Sequence, residues 1–325
     1  MKRIHSILDV VGNTPVVCLN GTPGKVGSRF SNFEASVFAK LEFLNPSGSI
    51  KDRVAKFLVE EAENKGILKP GYTIVEATSG NMGISLAMMA AVKGYKFIAV
   101  MPDNETAERI RFMQGYGAEV VLSPADKLVS GAVEMAKEMA NRPEHWMPSQ
   151  FSNRSNVICH KETTGKELIE QIGEKVDVFV AGVGTGGTLM GVGAALKETN
   201  PNVKLISAQP SGSRELTGGK PGHHSIGGVA DGFIPEIVDT SLINEVVYVE
   251  DAQAIEMCRI LSREKGLFVG PSSGANAFVA LRMARKLKKG HVVATVLPDN
   301  AERYFSIGIV DKDADKVTVP HGCMK

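Results

Sequence analysis

Short apolar runs alternate with stretches of helical periodicity almost from end to end of this chain. That alternation constrains the fold more than any other feature. Runs rich in Val and Ile read as strands buried on both faces: Val16–Leu19, Val37–Leu41, Thr73–Glu76, Phe97–Met101, Glu119–Leu122, Val178–Ala181, Lys204–Gln209, Glu245–Val249 and Val292–Leu297. Between them the spacing predicts helices over Asp52–Lys65, Met82–Lys93, Thr106–Tyr116, Lys127–Asn141, Asn156–Ile172, Leu189–Glu198, Ala252–Glu264 and Ala275–Lys288. The fold class that follows is α/β, with two open, twisted, mostly parallel sheets flanked by helices. Open parallel sheets take ligands beyond the carboxyl ends of their strands, so Gly-rich turns that follow strands are read first as ligand loops.

Three stretches break the alternation. Asn20–Phe33 is rich in Gly and Ser and reads as a surface loop. Asn141–Ser155 is rich in Asn, Ser and Pro and marks a chain crossing near Ser152–Asn156. The expected division is a small domain over 42–153 and a large domain combining 1–41 with 154–325. Thr217–Pro235 is long and rich in Gly, Pro and His, and loops of that length in compact domains are usually functional.

Composition narrows the partners. The 325 residues carry a net charge of +1, which offers nucleic acid or an anionic membrane no broad field. No apolar run is long enough to span a bilayer, and no h-region follows the basic Met1-Lys2-Arg3 start. The four cysteines (Cys18, Cys159, Cys258, Cys323) form no CxxC pair, and the seven histidines lack metal-ligand spacing. The expectation is a cytoplasmic protein without a metal.

Four loops carry the chemical signals. In Asn45-Pro46-Ser47-Gly48-Ser49-Ile50-Lys51-Asp52-Arg53 a turn of small residues runs straight into a helical pattern, with Lys51 in its first turn. The helix dipole is positive there, so a lysine at that position is a candidate for a lowered pKa and for an amine nucleophile. Thr78-Ser79-Gly80-Asn81-Met82-Gly83 follows a strand and opens a helix. It reads as an anion site or, equally, as an ordinary cap by Ser79 or Asn81. Gly182–Thr188 satisfies GxGxxG, but the next strand ends in Gln209-Pro210, without the acid that a dinucleotide ribose requires. Gly184, Thr185, Gly186, Gly187 and Thr188 suit a compact phosphate cup instead. Val269–Ala275 is a turn ahead of a helix and offers Ser272, which reads either as a plain N-cap or as a hydroxyl that bonds a ring nitrogen without forcing it to protonate. A nucleophilic lysine, a phosphate cup and an anion loop together imply pyridoxal phosphate, lodged between the domains.

On these loops the chain resembles the cysteine synthase (O-acetylserine sulfhydrylase) family, within the tryptophan-synthase-β-like, fold type II group of pyridoxal phosphate enzymes. The likeness also runs through Val11–Pro15, Gln150–Asn153, Thr163–Gly165, Gly218–Gly222, Phe233–Pro235 and Leu297-Pro298-Asp299. It implies that Lys51 forms the Schiff base and moves the α-proton, and that Asn81 meets the cofactor's 3′-oxygen. Gly184 to Thr188 would hold the phosphate, and Ser272 the pyridine nitrogen. Thr78, Ser79 and Gln150 would bind the substrate carboxylate. The implied activity is β-replacement through an aminoacrylate, making L-cysteine from O-acetyl-L-serine and sulfide. A homodimer is the usual family assembly, and some members bind the C-terminus of serine acetyltransferase.

Two residues depart from the family pattern. Met82 stands where threonine usually helps hold the substrate carboxylate; either the remaining loop groups and Gln150 suffice, or the substrate preference is altered. Asp231 stands where many relatives carry a small residue. The Asp-Gly pair reads first as a surface turn. Facing the cofactor instead, Asp231 would be a base that adds hydroxide and so turns the enzyme into a cysteine lyase releasing hydrogen sulfide and forming L-serine. Arg214 raises a third donor, O-phosphoserine, against the plainer reading of a surface arginine. An NAD oxidoreductase and a catalytically silent binding protein are the readings from other classes. Lys51 and the missing ribose acid weigh against them.

Overall fold

The computed structural model describes residues 3–21, 28–31 and 33–310. Met1, Lys2, much of the Asn20–Phe33 loop and Cys323 lie outside the described residues. The strands are β1 (Val16–Cys18), β2 (Ser36–Leu41), β3 (Thr73–Ala77), β4 (Lys96–Pro102), β5 (Glu119–Ser123), β6 (His145–Trp146), β7 (Val178–Ala181), β8 (Lys204–Pro210), β9 (Glu245–Val249) and β10 (Val292–Leu297). The helices are α1 (Lys51–Asn64), α2 (Asn81–Lys93), α3 (Ala107–Gly115), α4 (Leu128–Ala140), α5 (Ser155–His160), α6 (Lys166–Ile172), α7 (Gly187–Thr199), α8 (Asp251–Lys265) and α9 (Pro271–Ala284).

The strands form two sheets, mostly parallel as the alternation predicts. One runs β1-β2-β10-β7-β8-β9 and is parallel except for the β1–β2 pair; the other, β5-β4-β3-β6, is wholly parallel. Val and Ile dominate the strands because both sheet faces are covered. On the larger sheet Ala277, Ala280 and Leu281 of α9 and Leu261 of α8 pack on one side. Leu189, Val192 and Leu196 of α7 pack on the other. The smaller sheet carries Leu86 and Met89 of α2 on one face and Ala132 and Ala136 of α4 on the other. The carboxyl ends of β3, β7 and β10 open directly into the Thr78, Gly182 and Pro298 loops.

Three details differ from the sequence reading. The helix expected over Asn156–Ile172 is two α-helices joined through a π-helical turn, Lys161–Gly165. That turn lets Gly165 pack on Ala195 of α7. The stretch Asn141–Ser155 contains β6, which pairs with β3 through His145 and Trp146 and is too short to leave a period. The helix expected from Ala275 begins at Pro271, whose missing N–H falls where no intrahelical bond is made. Ser272 therefore lies inside the first turn rather than ahead of it.

Candidate active site

Lys51 is placed by the turn before it. Asp52 is fully buried and accepts from Ser47 N–H at 2.6 Å, from Ser85 Oγ at 2.6 Å and from the Ser47 hydroxyl. Gly48 sits at φ +86°, and a Cβ there would meet Arg303 and Asn300 nitrogens at 2.8 Å. One residue further on, Arg53 donates to Glu42 at 2.7 and 2.9 Å and to Glu167 at 2.8 and 3.1 Å, pinning α1 to both β2's end and α6. Lys51 opens α1 and lines a cavity between the two sheets' carboxyl ends. Desolvation holds its amine below the usual lysine range, against the pull of Asp231 and Asp299. The sequence expectation of a lysine with weakened charge is met, with burial as the main cause.

Thr78, Ser79, Asn81, Met82 and Gln150 line the same cavity. Neither Ser79 nor Asn81 caps α2. Thr78 Oγ1 instead accepts from Gly80 N–H at 2.9 Å and Gly83 N–H at 3.1 Å, closing the loop on itself. Gly80 has φ +141°, and a Cβ there would lie 2.5 Å from Arg109, so only glycine lets the loop rest on that side chain. Asn81 Nδ2 donates to Asp299 at 2.6 Å and its Oδ1 accepts from Arg303, leaving one amide hydrogen for a ligand. Gln150 Nε2 donates to the Ala77 carbonyl at 2.8 Å, and its N–H donates to Glu76 at 3.1 Å. Met82 is buried at the start of α2.

Gly184, Thr185, Gly186 and Thr188 form the opposite wall. Gly186 is left-handed at φ +86° and turns the chain into α7, whose first-turn N–H groups lack partners within the helix. A Cβ on Gly184 would meet the Gly228 carbonyl at 2.3 Å, and one on Gly187 would meet Asn156 Oδ1 at 2.1 Å. The cup is thus shaped by backbone, with no room for side chains at those positions. Ser272 completes this wall.

Asp231 is not on a surface turn. The N–H of Ala230 donates to the Val183 carbonyl at 2.9 Å, docking the Gly228–Asp231 segment against the cup. Asp231 is half-buried and lines the Lys51 cavity. Burial raises its pKa, opposed by Lys51, His224 and Arg109. The turn reading is therefore corrected: the direction of this side chain follows from a contact with residues far away in sequence. Arg214 goes the other way. Its guanidinium lies over the Tyr248 ring at 4.9 Å and it lines neither cavity near Lys51.

Sequence reasoning missed Arg109, which donates to the Ser79 carbonyl at 2.8 Å, pairs with Glu105 and lies over Tyr304 at 5.1 Å. It also missed Asn276, which fixes the cup by accepting from Gly182 N–H at 2.8 Å and donating to Val296 at 3.0 Å. Both sit on helices where a lone polar residue leaves no distinctive spacing. Asp299 lies in the Leu297-Pro298-Asp299 motif, which was the available signal for it.

The profile of the family described as pyridoxal-phosphate dependent enzyme matches residues 7–299. The chain belongs to that family. This pyridoxal-phosphate-dependent enzyme is 43% identical to a cysteine synthase of Staphylococcus aureus over 313 residues, which is 96% of this chain and 99% of that protein. Crystal structures of O-ureido-L-serine synthase and of a hydrogen sulfide-producing enzyme from Fusobacterium nucleatum are each 39% identical to it. The first superposes with a TM-score of 0.88 over 96% of this chain and 99% of the other; the second does so with 0.86 over 93% and 100%. It is a β-substituting enzyme of the cysteine synthase type. Among the described residues no helix is long and apolar enough to cross a membrane, and no cluster of His, Cys, Asp and Glu is set to hold a metal ion.

The site fits pyridoxal phosphate on its own chemistry. A backbone cup at a helix N-terminus suits the phosphate, the Ser272 hydroxyl a neutral ring nitrogen, and the spare Asn81 amide hydrogen a ring oxygen. Lys51 lines the same cavity as all three.

Proposed function

We propose that this enzyme replaces the β-substituent of a three-carbon L-amino acid, with L-cysteine as donor and water as nucleophile, releasing hydrogen sulfide and forming L-serine. The observation that carries this reading is the Asp231 carboxylate in the Lys51 cavity. Hydrosulfide is already an anion near neutral pH, so it needs no base and is repelled by a carboxylate. Water does need one.

When bound, pyridoxal phosphate supplies the electron sink that makes Cα acidic and its β-substituent a leaving group. The residues Gly184–Thr188 hold the phosphate, Ser272 the ring nitrogen and Asn81 the ring oxygen. Thr78, Ser79 and Gln150 seat the substrate carboxylate, with Met82 as the apolar floor where a hydroxyl would otherwise stand. The Lys51 amine, its charge weakened by burial, takes the Cα proton and later returns it. The Cβ–S bond breaks and sulfur leaves with a proton. A water oxygen then bonds Cβ as Asp231 takes its proton. In this proposal the segment 42–153 moves as one domain against 1–41 plus 154–325, closing on the carboxylate. Assembly as a cytoplasmic homodimer, with or without the serine acetyltransferase C-terminus, belongs to the same reading and is open to light scattering.

The second reading, L-cysteine from O-acetyl-L-serine and sulfide, is supported by the Staphylococcus aureus relative. O-phosphoserine has no support from Arg214, which is spent on Tyr248. The test runs cysteine alone, following sulfide and serine, beside O-acetylserine with sulfide, following cysteine. Faster sulfide release, lowered about a hundredfold or more by Asp231→Asn, is expected. Fast cysteine formation with slow sulfide release would put the second reading in its place.

A further inference from the structure

Arg303 is fully buried on the 3-10 helical turn Ala301–Ile307, yet its hydrogen-bond partners among the described residues are neutral oxygens. Its Nε donates to Asn300 Oδ1 at 3.2 Å, its Nη2 to the Ser47 carbonyl at 2.6 Å and its Nη1 to Asn81 Oδ1. A buried guanidinium bonded to no carboxylate is costly, so stability alone does not account for it. The other end of the Asn81 amide is held by Asp299, which accepts from Asn81 Nδ2 at 2.6 Å and from the Tyr304 hydroxyl at 2.6 Å. Asp299 is also fully buried, and its second oxygen, Oδ1, has no partner among the described residues. A guanidinium only donates and a carboxylate only accepts, so the two together admit one flip of the amide. Turned over, the amide would set donor against donor and oxygen against oxygen. The group left free is therefore an N–H.

The same side chains reach Lys51. Arg303 holds the Ser47 carbonyl, and Ser47 N–H donates at 2.6 Å to Asp52, the residue after Lys51. Ser85 Oγ stands 2.6 Å from that carboxylate and 3.0 Å from the Asn81 carbonyl. The turn that presents the amine and the amide beside it thus share one anchor. We infer that Arg303 and Asp299 are positioning residues that lock the Asn81 amide as a one-way donor to the cofactor's ring oxygen. The inference rests on Asn81 meeting that oxygen, as proposed above. Neither Arg303 nor Asp299 lines the Lys51 cavity, so each acts through Asn81. Donation by a cation polarises the amide and strengthens its remaining N–H. That N–H favours the ring oxygen as an anion, which makes cofactor affinity depend on the oxygen. Without the clamp the amide rotates and can offer an oxygen, which repels.

The test reconstitutes the holoenzyme with pyridoxal phosphate or with the analogue in which hydrogen replaces the ring hydroxyl. Equilibrium dialysis gives the dissociation constant of each. A general weakening of the fold or of the phosphate cup moves both constants alike, so their ratio isolates the ring oxygen. In Asn81→Ala the preference for pyridoxal phosphate is expected to fall about tenfold, the worth of one hydrogen bond to a charged oxygen. Arg303→Met is expected to bring the preference to within about threefold of the Asn81→Ala value, and the double variant to lower it no further. An Arg303→Met preference equal to that of the natural enzyme, or a double variant showing both losses multiplied, would overturn the clamp. An unchanged preference in Asn81→Ala would instead show that the ring oxygen lies elsewhere, and the clamp would fall with that placement. If Arg303→Met fails to fold, Asp299→Ala frees the other end of the amide and supplies the same comparison. Asp299→Asn, which keeps an acceptor for Asn81 and Tyr304, is expected to retain the preference, and its loss there would count against the clamp.

Discussion

Glu76 lies next to the end of β3 with no exposed surface, and its carboxyl oxygens accept from Ala77 N–H at 2.9 Å and Gln150 N–H at 3.1 Å. Burial outweighs those bonds and lifts its pKa from 4.5 to about 8. The native state therefore keeps the proton through a range of pH in which the unfolded chain has lost it. A raised acid pKa gives stability that is full below 4.5 and is lost as pH climbs to about 8. A gap of about 3.5 pH units at about 1.4 kcal/mol each puts that loss at about 5 kcal/mol, a large share of a typical domain's margin. Replacing Glu76 with Gln keeps the shape, removes the titration and forfeits one acceptor to a backbone N–H. Near pH 4.5 the variant is thus expected to be the less stable protein by about 1 kcal/mol. Its relative standing then improves steadily with pH, so that it is the more stable protein above pH 8. Equilibrium urea unfolding of both proteins at fixed pH values from 4.5 to 9, at one cofactor concentration, measures the difference. A difference independent of pH would show that Glu76 is ionised in the native state and refute the reasoning.

Two further outcomes follow from the same geometry. Glu42→Gln removes one charge from the buried set Arg53, Glu42, Glu167 and Lys40, leaving Arg53 under-paired; chemical denaturation is expected to show a loss of about 3–5 kcal/mol, and a loss under 1 kcal/mol would mean that water reaches the cluster. Gly187→Ala drives a Cβ to within 2.1 Å of Asn156 Oδ1, whose amide also donates to the Gln150 carbonyl and Thr185 Oγ1. Cofactor release on dialysis, read by absorbance, is expected to be at least about tenfold easier, and unchanged retention would place the phosphate elsewhere.

What the sequence showed by itself was everything carried by local spacing. Nine of the strands and the start of α1 follow from alternation, because a strand or helix buries its apolar face with a fixed period whatever it packs against. Lys51 and the Gly184–Thr188 cup were legible for the same reason, since a turn that leads from a small-residue loop or a strand into a helix is a local event. β6 escaped because two residues carry no period. Arg109 and Asn276 escaped because their meaning depends on which loop lies opposite.

Asp231 marks the boundary between the two kinds of information. Its sequence context reads first as an Asp-Gly turn and leaves a cavity-facing base as the alternative, without deciding between them. The hydrogen bond from Ala230 to Val183, across a separation that only the folded chain closes, carries its carboxylate into the cavity beside Lys51. The same long-range packing lowers the Lys51 pKa, since the desolvation responsible comes from elements that meet only in the tertiary structure. Periodicity and turn chemistry specify elements because they act over a few residues. The direction of a loop side chain, and the charge on a buried amine, are properties of the neighbours that the whole chain brings to them.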